Sequence, residues 1–293
     1  MEDFFTIDLL TRILRVSTPL IFAALGGIIC ERSGVINIAL EGLMLIGAFF
    51  AVAGTYWTGN VFFGLLIGIG CAMLGALIHA VWSITFRGDQ IVVGTAVNLI
   101  ALGLTAFLVK SIWGQAGGSE RVHSLPKIWG MSILVPIAFA AVPLVAFFLF
   151  KTKQGLRLQA CGEHPQAAVS AGIDITKYRY LAVLSSGVLA GLGGAYLSVG
   201  NLNYFTLDMT NGRGFIALAA VILGGWSPWG ALGAALLFGA AEGIQVQGQS
   251  TPGFPISSDL LVALPYIVTL IAITLFVKAR SGPAGLGAHA TTS

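Results

Sequence analysis

Few residues in this chain are equipped for chemistry, and they fall into two groups. The first is set in apolar sequence: Asn37 and Glu41 in SGVINIALEGLML, Asn98 in IVVGTAVNLIALGL, and Glu242 with Gln245 in GAAEGIQ. The second is a polar run, GLRLQACGEHPQAAVSAGIDITKYRY, at 155–180. A carboxylate among apolar residues either meets a ligand or satisfies backbone groups where a helix is interrupted. Glu41 stands beside Gly42, one turn after Asn37. A helix break there would point amide dipoles at a polar solute or at the Glu41 carboxylate itself. Asn98 carries the donor and acceptor that suit the edge of a nucleobase, and they suit a neighbouring helix equally well. Glu242 and Gln245 lie near the end of their apolar segment, at the depth of lipid headgroups. Trp226 and Trp229, in GGWSPWG, read as an interfacial anchor around a turn, with stacking on a base as the other use of the ring. Phe215, Tyr204 and Phe205 are further aromatics whose faces stay open.

Other chemistries lack the residues they need. Cys30, Cys71 and Cys161 form no close pair, and His79, His123, His164 and His289 have no metal-ligand spacing. No Ser or His has an orienting acid and base at recognisable distance. No Gly is followed by Lys, so a G-x-x-x-x-G-K-[ST] phosphate loop is absent. Energy for transport would have to come from another chain or from an ion gradient.

The elements that position these groups are helices in lipid. The 293 residues are 56% hydrophobic and 9% charged, against about 25% charged in a water-soluble domain. The fold class is therefore all-α, a polytopic transmembrane helical bundle with broken or re-entrant helices. Residues 1–15 read as an amphipathic interfacial segment, 16–280 as one transmembrane domain, and 281–293 as a flexible tail. Apolar segments fall at 16–30, 33–57, 61–86, 91–112, 132–150, 179–200, 214–225, 230–247 and 259–277. The 214–225 segment is too short to cross ~30 Å of hydrocarbon and reads as a half-helix packed inside protein. Small residues at helical spacing predict close helix contacts: Gly64, Gly68 and Gly75 with His79; Gly94, Ala101 and Thr105 with Asn98; Ser186, Gly187, Ala190, Gly191 and Gly194.

Charge orients the bundle. The 151–179 connection holds Lys151, Lys153, Arg157, Lys177 and Arg179, five of the fifteen basic residues, which puts it in the cytoplasm and the 113–131 loop outside. The net charge of +3 is thus a matter of membrane orientation, not of nucleic acid. A plain count of segments leaves the N-terminus outside despite Arg12 and Arg15; re-entry of 33–57 would reverse that. Within the connection, Pro165 suits the first turn of a helix and Gly172 the left-handed residue that ends one. QAAVSA lies between them, His164 or Glu163 stands at the entrance, and Thr176 is the N-cap of the next span. Two turns of helix are too short to stand alone in water. This is either a capped connector or a docking element.

Three stretches carry a family resemblance: GLRLQACGEHPQAAVSAGI, TPLIFAALGGIICERSGVINIALEGLMLIGAFFA at 18–51, and GFIALAAVILGGWSPWGALGAALLFGAAEG at 214–243. Together they resemble the permeases of ABC importers for nucleosides and simple sugars, closest to the shorter permease of purine-nucleoside importers. The resemblance implies a coupling helix seated in a cleft of a separate ATP-binding subunit, with Gly162, Glu163, Pro165, Ala167, Ala168 and Gly172 matching that motif. It implies a second permease in a heterodimer, an extracytoplasmic substrate-binding lipoprotein and a location in the bacterial inner membrane. ATP and Mg would belong to the ATPase, with no cofactor, metal or enzymatic activity in this chain. Asn37, Glu41, Asn98, Phe215 and Trp226 are the candidates for the nucleoside pathway. Gln159 departs from the pattern, where many relatives carry Arg. Import of simple sugars or branched-chain amino acids, and ion-coupled secondary transport, are the alternatives.

Overall fold

The computed structural model describes residues 7–115, 117–251, 257–276 and 282–288. The first helix, α1 (Ile7–Arg32), takes in residues 7–15 as its opening turns, so they are not a separate interfacial element; residues 1–6 lie outside the described part. Pro19 removes one amide from this helix, and the Thr18 hydroxyl donates to the Leu14 carbonyl at 2.7 Å in the same turn. After an irregular stretch come α2 (Leu40–Thr58), α3 (Val61–Ala80, extended by a π-helical turn at Val81–Thr85) and α4 (Gln90–Trp113). A small hairpin, β1 (Lys127–Ile128) with β2 (Met131–Ser132), precedes α5 (Leu134–Lys151). Then follow α6 (Lys153–Glu163), α7 (Pro165–Ser170) and α8 (Ile175–Ala195, extended as a π-helix over Tyr196–Leu202). The chain closes with α9 (Arg213–Leu223), α10 (Pro228–Ser250) and α11 (Ser258–Phe276).

Seven helices among the described residues are long and apolar enough to cross a membrane. α1, α2 and α8 form the centre, with Leu20, Phe22, Leu43, Met44 and Phe49 fully buried. α3, α4 and α5 turn Phe63, Leu66, Leu99, Phe107, Leu144 and Phe147 outward, the composition that lipid accepts. The small-residue stripes are the buried faces. α2 crosses α8 so closely that a side-chain carbon on Gly47 would lie 2.6 Å from the Gly191 Cα, and one on Gly191 would lie 2.7 Å from the Ala72 Cβ of α3, which is why neither position carries a side chain. α9 spans eleven residues, ~16 Å at 1.5 Å per residue, the half-helix that its apolar length predicts.

The two ends of the bundle are chemically distinct. At one end Arg32 meets Glu163, so the close of α1 and the basic 151–179 connection lie together. At the other end the Arg15 guanidinium donates to Gly130 in the hairpin at 2.7 Å, and residues 118–125 run against 199–206. This alternation follows the plain count of spans. The 33–57 segment is not re-entrant: α2 runs nineteen residues to the turn at Gly59, and the irregular backbone of SGVINIA precedes it. Residues 282–288 differ from the expectation of a flexible tail. The Gly285 amide donates to Gly162 at 2.8 Å, the Gly287 amide donates to Gly34 at 3.0 Å, and Arg179 donates to the Ala288 carbonyl at 2.8 Å. Small residues let this strap lie backbone to backbone on the basic end; residues 281 and 289–293 of the tail lie outside the described part.

Candidate functional site

The interruption between α1 and α2 places non-helical backbone within the bundle, where each N–H and C=O must find a protein partner. Three side chains supply several of them. Gln90 accepts from the Ile36 amide at 2.7 Å, and His79 Nε2 donates to the Ile36 carbonyl at 3.1 Å. Asn98 donates to the Ile38 carbonyl at 2.9 Å and accepts from the Gly42 amide at 2.8 Å. Both halves of that carboxamide therefore clamp the break. Asn37 donates to Ser186 Oγ at 2.7 Å, while its Oδ1 is buried with no hydrogen-bond partner among the described residues.

Glu41 serves a second helix start. Its two carboxylate oxygens accept from the Gly212 amide at 2.8 Å and the Gly214 amide at 2.6 Å, across the N-terminus of α9. Gly212 has φ +80, a left-handed conformation suited to glycine, and a side-chain carbon at Gly214 would fall 2.5 Å from the Glu41 Cα. The carboxylate thus neutralises a helix dipole that would otherwise face an anion. Sequence reasoning read Glu41 as a helix-end acceptor, but at its own break; the donors come from α9, 171 and 173 positions on.

Between those two glycines stands Arg213, which sequence reasoning missed. Its guanidinium pairs with Glu242 of α10 at 2.5 Å, and the two side chains are 22% and 21% exposed. Glu242 lies within α10, which continues eight residues beyond it to Ser250, roughly 12 Å. An ion pair within a candidate span belongs beside water or protein, not lipid. The outer face of α9 also carries half-exposed Phe215. Glu41, Arg213 and Glu242 thus form a charged node where α2, α9 and α10 meet, with Arg213 and Glu242 partly exposed. Asn37, Glu41 and Asn98 come together at the break, with Phe215 just beyond the α9 N-terminus.

Trp226 stands apart, at the basic end. It is buried with φ +52, its Nε1 donates to Glu31 at 2.5 Å, and its carbonyl accepts from Arg32 at 3.0 Å. It latches the end of α9 to α1 and is not an interfacial anchor; Trp229 is the exposed one.

The 151–179 connection holds two helices, not one. α6 starts at Thr152, whose hydroxyl accepts from the Gly155 amide at 3.0 Å, and Gln159 donates to the Leu149 carbonyl at 2.6 Å. Gln159 thereby ties α6 to the end of α5. α7 begins with Pro165 at its first position and ends at Gly172, φ +74, as the residue types predict. The capping details differ. His164 occupies the N-cap without a side-chain bond, and Glu163 turns back to Arg32 at 3.3 Å and to the Ala284 amide at 3.2 Å. Asp174, not Thr176, caps α8 by accepting from the Lys177 amide at 3.0 Å. Of the six motif positions, Gly162 and Ala168 are buried against the bundle, Ala167 and Gly172 are exposed, and Glu163 and Pro165 lie between. Burial pushes the Cys161 thiol up to about 11.

A family model described as "Branched-chain amino acid transport system / permease component" matches residues 9–275. This chain belongs to that permease family. The permease is 41% identical to the guanosine ABC transporter permease protein NupQ of Bacillus subtilis, over 92% of each chain. It is 37% identical to the nucleoside ABC transporter permease protein NupC of Lactococcus lactis, over 96% of each. In fold the permease resembles PsaBC from Streptococcus pneumoniae, with a TM-score of 0.54 at 16% identity over 96% of this chain and 94% of that one.

Proposed function

We propose that this permease is the membrane subunit of an ATP-driven nucleoside importer in a bacterial inner membrane. The observation that carries the substrate class is the near-full-length likeness to permeases named for guanosine and for nucleosides. In this reading the basic end faces the cytoplasm, and the exposed surface of α7 docks on a separate ATPase that binds ATP and Mg. A second permease covers the α9–α10 face, and a lipoprotein delivers the solute at the hairpin end. The charged node supports that arrangement, since a partly exposed ion pair inside a span needs an aqueous path or a protein neighbour. The solute path then runs along α9, past Phe215 and Arg213–Glu242, while Asn98 and Glu41 hold the broken helix behind it.

Uptake of labelled guanosine by vesicles containing the assembled importer tests the reading. Uptake should require ATP, and adenosine should compete where ribose and leucine do not. Competition by ribose or leucine alone would reassign the solute, and uptake driven by an ion gradient without the ATPase would remove the mechanism. Glu163→Arg bears on the coupling end. It sets a cation against Arg32, so ATPase activity should no longer respond to solute while the bundle stays folded. Normal uptake by that variant would count against docking through this connection.

A further inference from the structure

Between α6 and the corner of α7 and α8 lies a cleft of about 490 Å³, with Gly172 of the coupling motif at its edge. Arg157 and Lys177 are on its wall, Gln154 and Tyr178 bond to each other beside them, and Leu181 lines it further along α8. We propose that this cleft binds the phosphate headgroup of an anionic phospholipid, with the acyl region lying over Leu181. The inference rests on the membrane setting and not on which solute is carried.

Charge and depth together select the ligand. Arg157 and Lys177 are exposed at the bundle's basic end, and Lys151 and Lys153 stand just before them. Asp174 offsets one of these cations, but an oxygen of its carboxylate already accepts the Lys177 amide as the α8 cap. The wall therefore keeps a surplus of positive charge and N–H donors free for phosphate oxygens. Leu181 lies six residues into α8, ~9 Å along the helix axis, and is 50% exposed. A soluble partner meets the charged rim but not that hydrocarbon-level wall. A phospholipid meets both, its phosphate at the helix ends and its chain below, and basic pockets at this depth suit such headgroups. The stems of Arg157 and Lys177 reach the headgroup plane from the same level. A lipid seated here would brace α6 against α8, on either side of the coupling helix.

The test uses the assembled importer in phosphatidylcholine nanodiscs with and without phosphatidylglycerol. Phosphatidylglycerol should be retained through purification and seen by native mass spectrometry. The double variant R157Q/K177Q should hold it roughly thirtyfold more weakly, the effect of two cations at a membrane surface. K151Q/K153Q removes the same charge outside the cleft and should lose less. Equal retention by R157Q/K177Q and the unaltered permease, or equal loss by the two double variants, would overturn the site. So would displacement of the lipid by inorganic phosphate, or release of the ATPase subunit from R157Q/K177Q with lipid retention unchanged. A second readout leaves the cations in place: Leu181→Trp fluorescence should be quenched more by brominated phosphatidylglycerol than by brominated phosphatidylcholine, and equal quenching would refute the proposal.

Discussion

Two of the breaks between helices in this permease, at 33–39 and at 152–174, have their helix ends met by contrasting means. At 33–39 the partners come from far along the chain: His79, Gln90 and Asn98 for the break, and Glu41 in return for the start of α9. At 152–174 the helix starts are capped locally, with Thr152 and Asp174 each capping the helix that follows it, while Gly162 and Glu163 at the end of α6 reach distant partners. The difference reflects solvent. In hydrocarbon an unpaired amide has no water to turn to, so distant side chains must be built in; at the membrane surface a short-range cap suffices. The first region is accordingly buried and rigid in composition, and the second keeps an exposed helix face free for a partner.

Substitutions can break this contrast. The largest effect should follow Glu41→Ala, which leaves two α9 amides without their charged acceptor; a stability loss of about 3 kcal/mol or more is expected, read as a fall in unfolding temperature in detergent. A variant as stable as the original would mean that water reaches the break. Asn98→Leu removes one donor and one acceptor at similar volume and should cost about 2 kcal/mol, with uptake falling in step with the folded fraction. Thr152→Ala loses a single local cap and should cost about 1 kcal/mol. If it matched Asn98→Leu, the distinction between distant and local closure would fail.

Cys161 sharpens the comparison by pH. Its thiol is pushed up to about 11 by burial, the nearby Arg179 charge opposing that rise in part. A raised value means little thiolate near neutrality and more as pH climbs. Alkylation by a soluble maleimide should therefore be slow at neutral pH and keep rising well above pH 9, where a free cysteine of pKa about 8.5 levels off. Early levelling would show that the α6–α7 joint opens to water.

Several of these features were legible in the sequence, for physical reasons. Small residues three and four apart on α3, α4 and α8 announce a packing face because nothing else in lipid favours them there. The half-helix could be read from its length, and α7 from Pro165 and Gly172. Long-range partners could not be read. No local pattern tells that Glu41 serves Gly212 and Gly214, or that Trp226 finds Glu31 and so goes inside. α6 escaped notice because its buried stripe is only Gly155, Leu158, Cys161 and Gly162 in an otherwise polar run. The length of α10 could not be read either, since it continues through Gln247 and Gln249, past the end of the apolar pattern.

Order of synthesis gives the strap a consequence of its own. Arg179 enters the membrane with α8, yet the Ala288 carbonyl that receives its guanidinium is made 109 residues later. Until then Gly34 and Gly162 also lack the amides that close over them. The backbone at Gly34 and Gly162 is closed only once residues 285–288 have been made, so a product truncated ahead of them keeps an open seam at this end.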